Sequence, residues 1–432
     1  MRQSFIAVIL LSLVLFSCGK DEDEFASFVI GEEHADDYLQ TGLPVLYLDT
    51  KDARNIVSKT DYLTATLSIW DNGSEVGAPM ACSVRGRGNT TWTWPKKPYL
   101  IKLDKKESLL GMKKHKRWVL LANFMDKTLM RNLVAMKVSS LTSLDWTPSC
   151  KPVELVLNGK HVGNYVLIEQ VRADENRVPV TDGYLMECDF HFDNEVQWID
   201  PHGRSNRFPD GIPYAVKYPD PEEITQEQLS YIKQYIHDTG EALYGPDFKD
   251  PEKGYSAYMD VDSFIDYWIV YEVMGNIALM NPGSIFCHKA AEGKLTAGPC
   301  WDFDWGVLSF VTAPKGKTSL LHKNSMWYAR FFEDPAFEER AKSRFQELLP
   351  KLETVPAYIE SLRKTLSSSA KLNFHLWDPT QDASSNGGKI INGDENLSFD
   401  AAVDRLKANY LERLKVIKDC LSLLSTKSCG RD

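Results

Sequence analysis

Period-two alternation opens the folded part of the chain. PVLYLDT (44–50), TATLSIW (64–70) and PYLIKL (98–103) alternate apolar and polar positions as half-buried strands do. RWVLLAN (117–123) is a continuous apolar run and reads as a buried strand. The runs 153–157 and 161–170 flank Asn158-Gly159, the dipeptide that most readily supplies positive φ for a tight hairpin, and 183–190 adds a further strand. Spacing then turns helical at 127–141, where Leu129, Leu133, Met136 and Leu141 fall roughly on one face and Asp126 is the expected cap. Beyond residue 220 helices dominate. Thr225 and Gln228 form a capping box for a helix to about Leu243, Asp262 heads one to about Met274, and 335–349, 355–366 and 399–424 follow, with polar 379–397 as loop. Two short strands, 284–289 and 294–299, interrupt them and run straight into WDFDWG (301–306). The predicted class is α+β: a strand-rich region over 43–220, then a helix-rich region over 221–432.

Composition narrows this without changing it. The chain has 432 residues, 43% hydrophobic and 25% charged, which excludes collagen, a coiled coil and a mainly disordered polymer. A formal charge of −10 leaves no global basic field to drive counterion release, so nucleic acid is not expected as a partner. A local cluster remains: Lys96, Lys97, Lys102, Lys105, Lys106, Lys113, Lys114, Lys116 and Arg117 crowd one segment and suit a phosphate ligand. Residues 1–17 hold an apolar run too short to span a bilayer comfortably, the pattern of a signal peptide. Leu15-Phe16-Ser17-Cys18 resembles a bacterial lipobox, which makes Cys18 the expected lipid anchor and 18–42 an acidic tether; a secretory signal with an incidental cysteine is the alternative. Lys20 followed by Asp21, Glu22, Asp23 and Glu24 resembles the acidic export tag of Bacteroidetes surface lipoproteins. The expected location is the outer membrane, at the cell surface or on the periplasmic face. The seven other cysteines show no CxxC spacing, which removes support for zinc ribbons and thioredoxin-like motifs; Cys420 and Cys429 can close a small loop.

Candidate chemistry concentrates in a few blocks. RGRGNTTWTWPKKPYLIKL (85–103) places glycines, threonines and cations in and beside a strand, where backbone amides can meet phosphate oxygens. It lacks the third glycine of a dinucleotide fingerprint and no GxxxxGK[ST] exists, so on composition alone it is a tight turn with surface cations. Lys102, mid-strand between apolar neighbours, must snorkel outward or face an anion. Glu169, near the end of an apolar strand, is its natural partner, unless both simply face solvent. Asn123 and Arg131 accompany Asp126 at the helix start. In WDFDWG an extended backbone would send Asp302 and Asp304 to the same side, where paired carboxylates bind Mg²⁺ or Mn²⁺; a cap or salt-bridged loop is the bland alternative. Neither GxSxG nor HExxH occurs. Helix, loop with Asn276, short hairpin and acidic motif follow the order of a protein-kinase catalytic segment, which favours phosphoryl transfer over hydrolysis.

These blocks in order resemble the CotH kinase family, atypical protein kinases related to the bacterial spore-coat protein CotH. The resemblance rests on RGRGNTTWTWPKKPYLIKLDKKESLLGMKKHKRWVLLANFMDKTLMRN, VELVLNGKHVGNYVLIEQV, GYLMECD, KYPDPEEIT, VDSFIDYWIVYEVMGN and GKLTAGPCWDFDWG. It implies an atypical, kinase-like two-lobed fold that binds ATP with Mg²⁺ or Mn²⁺ and phosphorylates Ser or Thr of exported proteins. By the same resemblance Arg85, Lys102 and Glu169 belong to the nucleotide side, and Asn276, Asp302 and Asp304 surround the metal. One departure stands out. Family members commonly carry an acid shortly after the Gly-Asn pair, whereas Gly275-Asn276 leads to Ala278, which cannot accept a proton from a substrate hydroxyl. Glu272, a turn earlier on the helix, can substitute only if the backbone differs from this reading. A catalytically impaired surface lipoprotein that binds a glycan or protein, with Trp92, Trp94, Trp198, Trp301 and Trp305 available for stacking, is therefore the second expectation.

Overall fold

The computed structural model describes residues 37–191, 196–380 and 392–423. The leader, Cys18, most of the acidic tether and Cys429 lie outside these residues. No described helix is long and apolar enough to cross a membrane.

The alternating segments close into a barrel. Strands β1 (Val45–Thr50), β2 (Leu63–Asp71), β3 (Ser74–Glu75), β4 (Met80–Gly86), β5 (Tyr99–Glu107), β6 (His115–Leu121), β7 (Cys150–Leu157) and β8 (Lys160–Glu169) form one sheet in the order β1-β7-β8-β6-β5-β4-β2-β3. β1 also pairs antiparallel with β2, from Val45 opposite Trp70 to Thr50 opposite Ala65, so the sheet closes on itself and β3 remains as an appendage. Closure removes the exposed edges that such a sheet would otherwise present. Leu46, Leu48, Leu67, Val84, Ile101, Leu103, Trp118, Leu120, Leu155 and Leu167 fill the interior. Outward positions such as Leu100, Val119, Val166 and Ile168 pack in a second core with the helices, which explains why β6 and β8 read as nearly continuous apolar runs. Asn158 (φ 50°) and Gly159 (φ 76°) turn the β7–β8 hairpin in the left-handed region that this dipeptide tolerates.

A second, antiparallel sheet combines β9 (Tyr184–Cys188), β10 (Gln197–Asp200), β11 (Ile212–Tyr218), β12 (Ile285–Lys289) and β13 (Thr296–Ala297) in the order β10-β11-β9-β12-β13. It draws strands from both sides of residue 220. β9 pairs with β12 from Ile285 opposite Cys188 to Lys289 opposite Tyr184, and this brings the end of GYLMECD beside the hairpin that precedes WDFDWG. The helix Val261–Met274 is buried along almost its whole length and anchors the larger core, with the helices Pro335–Leu352, Val355–Leu376 and Phe399–Leu423 around it.

Several expectations shift locally. β4 and β10 were not legible as strands, because MACSVRG and QWID carry few contiguous apolar residues, and β11 (IPYAVKY) was passed over although most of it is apolar. The helix expected from residue 127 is Arg131–Ser139. The preceding residues turn instead, with Asn123 and Leu129 at positive φ, and Asp126 accepts the Arg131 N–H at 2.9 Å from within that turn. The helix ending at Met274 is capped by Asp260, which accepts the Ser263 N–H at 3.2 Å, while Asp262 turns outward to Arg340. The Thr225–Gln228 capping box is present at the head of the helix Gln226–Tyr244.

Candidate active site

A cleft of about 510 Å³ lies between the barrel and the helical part. The turn after β4 supplies one wall: Arg87, Gly88, Asn89, Thr90, Thr91 and Trp94. This turn is tight for reasons of space. A Cβ on Gly86 would sit 2.2 Å from the Trp92 ring, and one on Gly88, at φ +89°, would sit 2.1 Å from the Thr91 hydroxyl. Facing it are Asp189 after β9, Asn276 and Ala278 after the helix Val261–Met274, and Asp302, Asp304 and Trp305 after β13. The volume falls within the range of small-molecule sites, roughly 300–1,000 Å³.

The acidic motif does not continue the strand. β13 ends at Ala297, and Asp302 has φ 65°, so its backbone is left-handed rather than extended. The two acids nonetheless face the same cleft, because alternate residues are fixed from behind. Phe303 is fully buried against Tyr271, with ring centroids 5.0 Å apart. Three asparagines hold the intervening backbone: Asn276 donates to the Asp302 carbonyl at 3.1 Å, Asn132 accepts the Phe303 N–H at 3.0 Å, and Asn392 donates to the Asp304 carbonyl at 3.2 Å. Arg131 Nε donates to the Val307 carbonyl at 2.9 Å, while its guanidinium is buried between Asp126 and Asp394, the latter at 2.7 Å. Arg131 and Asp126 thus brace the motif from behind, and Asn123 serves the same turn by donating to the Leu129 carbonyl at 3.3 Å.

Charge is unbalanced in this cleft. Asp302 meets cleft solvent but is ringed by protein atoms; that burial raises its pKa, and Arg87 opposes the rise. The Asp304 carboxyl is raised further, first by burial and then by repulsion from Asp302, with which it shares a hydrogen bond. Arg87 lies over the Trp301 ring at 5.6 Å, and burial lowers its pKa while Asp302 and Asp304 hold it up. Asp189 adds negative charge that Asp302 feels, although its oxygens already accept the His191 N–H at 2.7 Å and the Ser284 N–H at 3.2 Å. A set of two crowded carboxyls with an amide oxygen nearby suits a hard divalent cation. Asn276 is the most committed member. Its oxygen accepts the Ala278 N–H at 2.9 Å, leaving one lone pair free for a cation.

The residues expected on the nucleotide side lie elsewhere. Lys102 is exposed on the outer face of β5, opposite Arg117 of β6, whereas Glu169 stands opposite Trp118 and shares the inner face of the wall. Pleat parity therefore keeps Lys102 and Glu169 apart. Glu169 is buried and pairs with Arg177 at 2.9 Å, while its second oxygen accepts the Ser149 N–H at 2.9 Å. Arg85 points away from the cleft, over the Tyr62 ring at 5.2 Å, and donates to the Lys59 carbonyl. Nor do the lysines of the basic segment converge: Lys96 is fully buried and donates to Asn373 at 2.7 Å, and Lys106 pairs with Asp174 at 2.8 Å. Arg87 and Asp189 were the residues overlooked. Both sit in blocks that stood out for their resemblance, RGRGN and GYLMECD, but only the sheet pairing brings them together with Asp302.

This arrangement spans segments from β4 to the last long helix, and one family model covers the same stretch: residues 84–417 match that of the CotH kinase protein. The chain belongs to the CotH kinase family. Among curated proteins none matches it. Every cleft residue named above lies inside the CotH match. So do Ala278, at the position where an acid was expected, and Glu272, which is fully buried and bound to Arg413 at 2.5 Å and to the Leu321 and His322 N–H groups. Glu272 is one helical turn from the cleft and does not line it.

Proposed function

We propose that this CotH family member is an ATP- and metal-dependent protein kinase acting on Ser or Thr of exported proteins, with the barrel and the helical part as the two lobes of a kinase-like fold. The observation that carries the reading is the pair Asp302 and Asp304, crowded together on the cleft wall opposite Arg87 and the Gly88–Thr91 turn. Mg²⁺ or Mn²⁺ held by these acids, with Asn276 beside them, would neutralise a triphosphate and relieve the repulsion from Asp302 that raises the Asp304 carboxyl. Arg87 supplies a fixed positive charge to the same phosphates, and the amides and threonine hydroxyls of the turn supply donors. The segment 1–17 and Cys18 support export and lipid anchoring, in the manner of Bacteroidetes lipoproteins at the outer membrane and its outer surface.

Ala278 favours a second reading, a CotH scaffold that binds nucleotide or a surface ligand without efficient transfer. Trp305, 39% exposed at the cleft edge and stacked with Trp94 at 6.3 Å, offers an aromatic face to a glycan or protein. One experiment separates the two. Incorporation from radiolabelled ATP with Mg²⁺ into a mixture of exported proteins should be present in the parent and abolished in Asp302→Ala. Incorporation unchanged by Asp302→Ala removes the site assignment. Stabilisation by ATP and Mg²⁺ without any transfer selects the binding module.

A further inference from the structure

Outside the cleft lining, the end of β10 meets the helix Gln226–Tyr244 through a cluster of imidazoles and carboxylates. Asp200, His202 and His237 each offer a ligand atom, and these atoms all lie within 4.8 Å of one another. We propose that they form a zinc site that clamps the edge strand of the second sheet to this helix.

The two oxygens of Asp200, a residue only 4% exposed, are each directed at one imidazole. Oδ1 lies 2.8 Å from His202 Nδ1 and Oδ2 lies 3.5 Å from His237 Nδ1. On the opposite side of both rings stands Glu241, one helical turn after His237. Its Oε1 is 3.0 Å from His202 Nε2 and 3.9 Å from His237 Nε2. A cation on the Nδ1 side would take Asp200 and both Nδ1 atoms, and Glu241 would then accept the His202 Nε2–H proton. That is the carboxylate–histidine–metal relay by which outer partners fix the tautomer and orientation of ligating histidines.

The seat for His202 is built into the helix. Gly240 has no side chain where a Cβ would lie 2.3 Å from the imidazole, and Tyr244 stacks on the same ring with centroids 6.0 Å apart. A cavity of about 10 Å³ lined by Asp200, His202, Gly240 and Trp327 leaves room for one water-sized species beside the cluster. Two imidazoles and one carboxylate favour Zn²⁺ over Mg²⁺ or Ca²⁺, which prefer all-oxygen sets, and three protein ligands leave one position for water. The cluster shares no residue with the cleft wall.

The test uses the full chain stripped with chelator, then titrated with Zn²⁺ by calorimetry and checked for metal content. One zinc per chain is expected in the parent and equally in Asp302→Asn/Asp304→Asn, which lacks the cleft acids. His237 is partly exposed, so His237→Ala should fold, which thermal unfolding verifies; it should weaken Zn²⁺ binding more than about 100-fold. Glu241→Ala should weaken it roughly 10–100-fold, the usual cost of losing an outer partner. Co²⁺ bound at the same stoichiometry should show the visible absorption of a tetrahedral site, lost in His237→Ala. Absence of zinc binding, binding indifferent to His237→Ala, or binding that disappears with the cleft acids would each overturn the site.

Discussion

Glu272 is the residue whose role the structure reassigns most sharply, and replacing it with glutamine tests that reassignment. Glu272 and Arg413 are both 0% exposed. The carboxylate accepts from the Leu321 N–H at 3.0 Å, the His322 N–H at 2.6 Å and the Arg413 guanidinium at 2.5 Å, and Arg413 Nε also donates to the Glu272 carbonyl at 3.1 Å. Burial raises the carboxyl's pKa while Arg413 and the two amides draw it back, so its charge is tolerated only because all three partners are present. Glu272→Gln preserves shape but leaves Arg413 buried without a counter-charge, a loss of about 3–5 kcal/mol. That is a large fraction of the roughly 5–15 kcal/mol that holds a domain folded. Glu272→Gln/Arg413→Met removes both charges but also takes the guanidinium donor from the Glu272, Gly316 and Ser319 carbonyls, charge-assisted bonds worth about 1.5–3 kcal/mol each. With Arg413→Met as the third corner, the cycle should show a coupling of about 0.5–3 kcal/mol, the size reported for contacting residues. Urea unfolding provides the assay: the midpoint should fall in each variant with an unchanged m-value, and the double should lose less stability than the two singles summed. The stabilisation given by ATP and Mg²⁺ should persist in both, because Glu272 does not line the cleft. A glutamine variant within about 0.5 kcal/mol of the parent, the scale of an ordinary surface substitution, would refute the buried-pair argument. Loss of phosphotransfer at parental stability would return Glu272 to catalysis.

Three further outcomes follow from the same physics. Asp304→Asn should raise thermal stability in chelator at alkaline pH, where both carboxyls are ionised and repel, and much less at lower pH, where a proton on Asp304 already relieves the repulsion; it should also abolish the additional stabilisation by ATP with Mg²⁺, and a variant destabilised at alkaline pH in a thermal-shift titration would contradict the repulsion. His322 is fully buried, and burial followed by the Arg413 charge lowers its pKa from 6.5 to about 3. The folded state resists protonating it while the unfolded chain does not, so its contribution is intact above pH 6.5 and is lost as pH falls towards 3; His322→Gln should flatten that part of the stability profile. Gly88→Ala places a Cβ 2.1 Å from the Thr91 hydroxyl at φ +89°, so it should cost about 1–2 kcal/mol in unfolding experiments and weaken ATP binding measured by calorimetry, whereas Gly159→Ala, with open space around it, should leave ATP binding unchanged.

How far the sequence carries can be traced residue by residue. The β7–β8 hairpin, the Thr225 capping box and the helix through Met274 were legible because each depends on residues within a few positions of one another. Pairing across the fold was not. Lys102 and Glu169 look like partners in one dimension, but the register that sets Lys102 opposite Arg117 and Glu169 opposite Trp118 sends them to opposite faces, and Glu169 takes Arg177 from the loop beyond its own strand. A one-residue difference in register would have reversed the outcome, and nothing in LIKL or VLIEQ specifies it. The acids of WDFDWG show the converse. An extended backbone was the wrong premise for placing Asp302 and Asp304 together, since Asp302 is left-handed. Their convergence comes instead from Phe303 buried behind them and from Asn276, Asn132 and Asn392, residues 116 and more positions apart, gripping the peptide groups between. Crowding two carboxyls raises the energy of the folded chain, and three asparagines and a buried arginine hold them there, which supports the proposed cation site. That makes the cleft, rather than the basic segment read from composition, the place where the chemistry of this CotH protein must be sought.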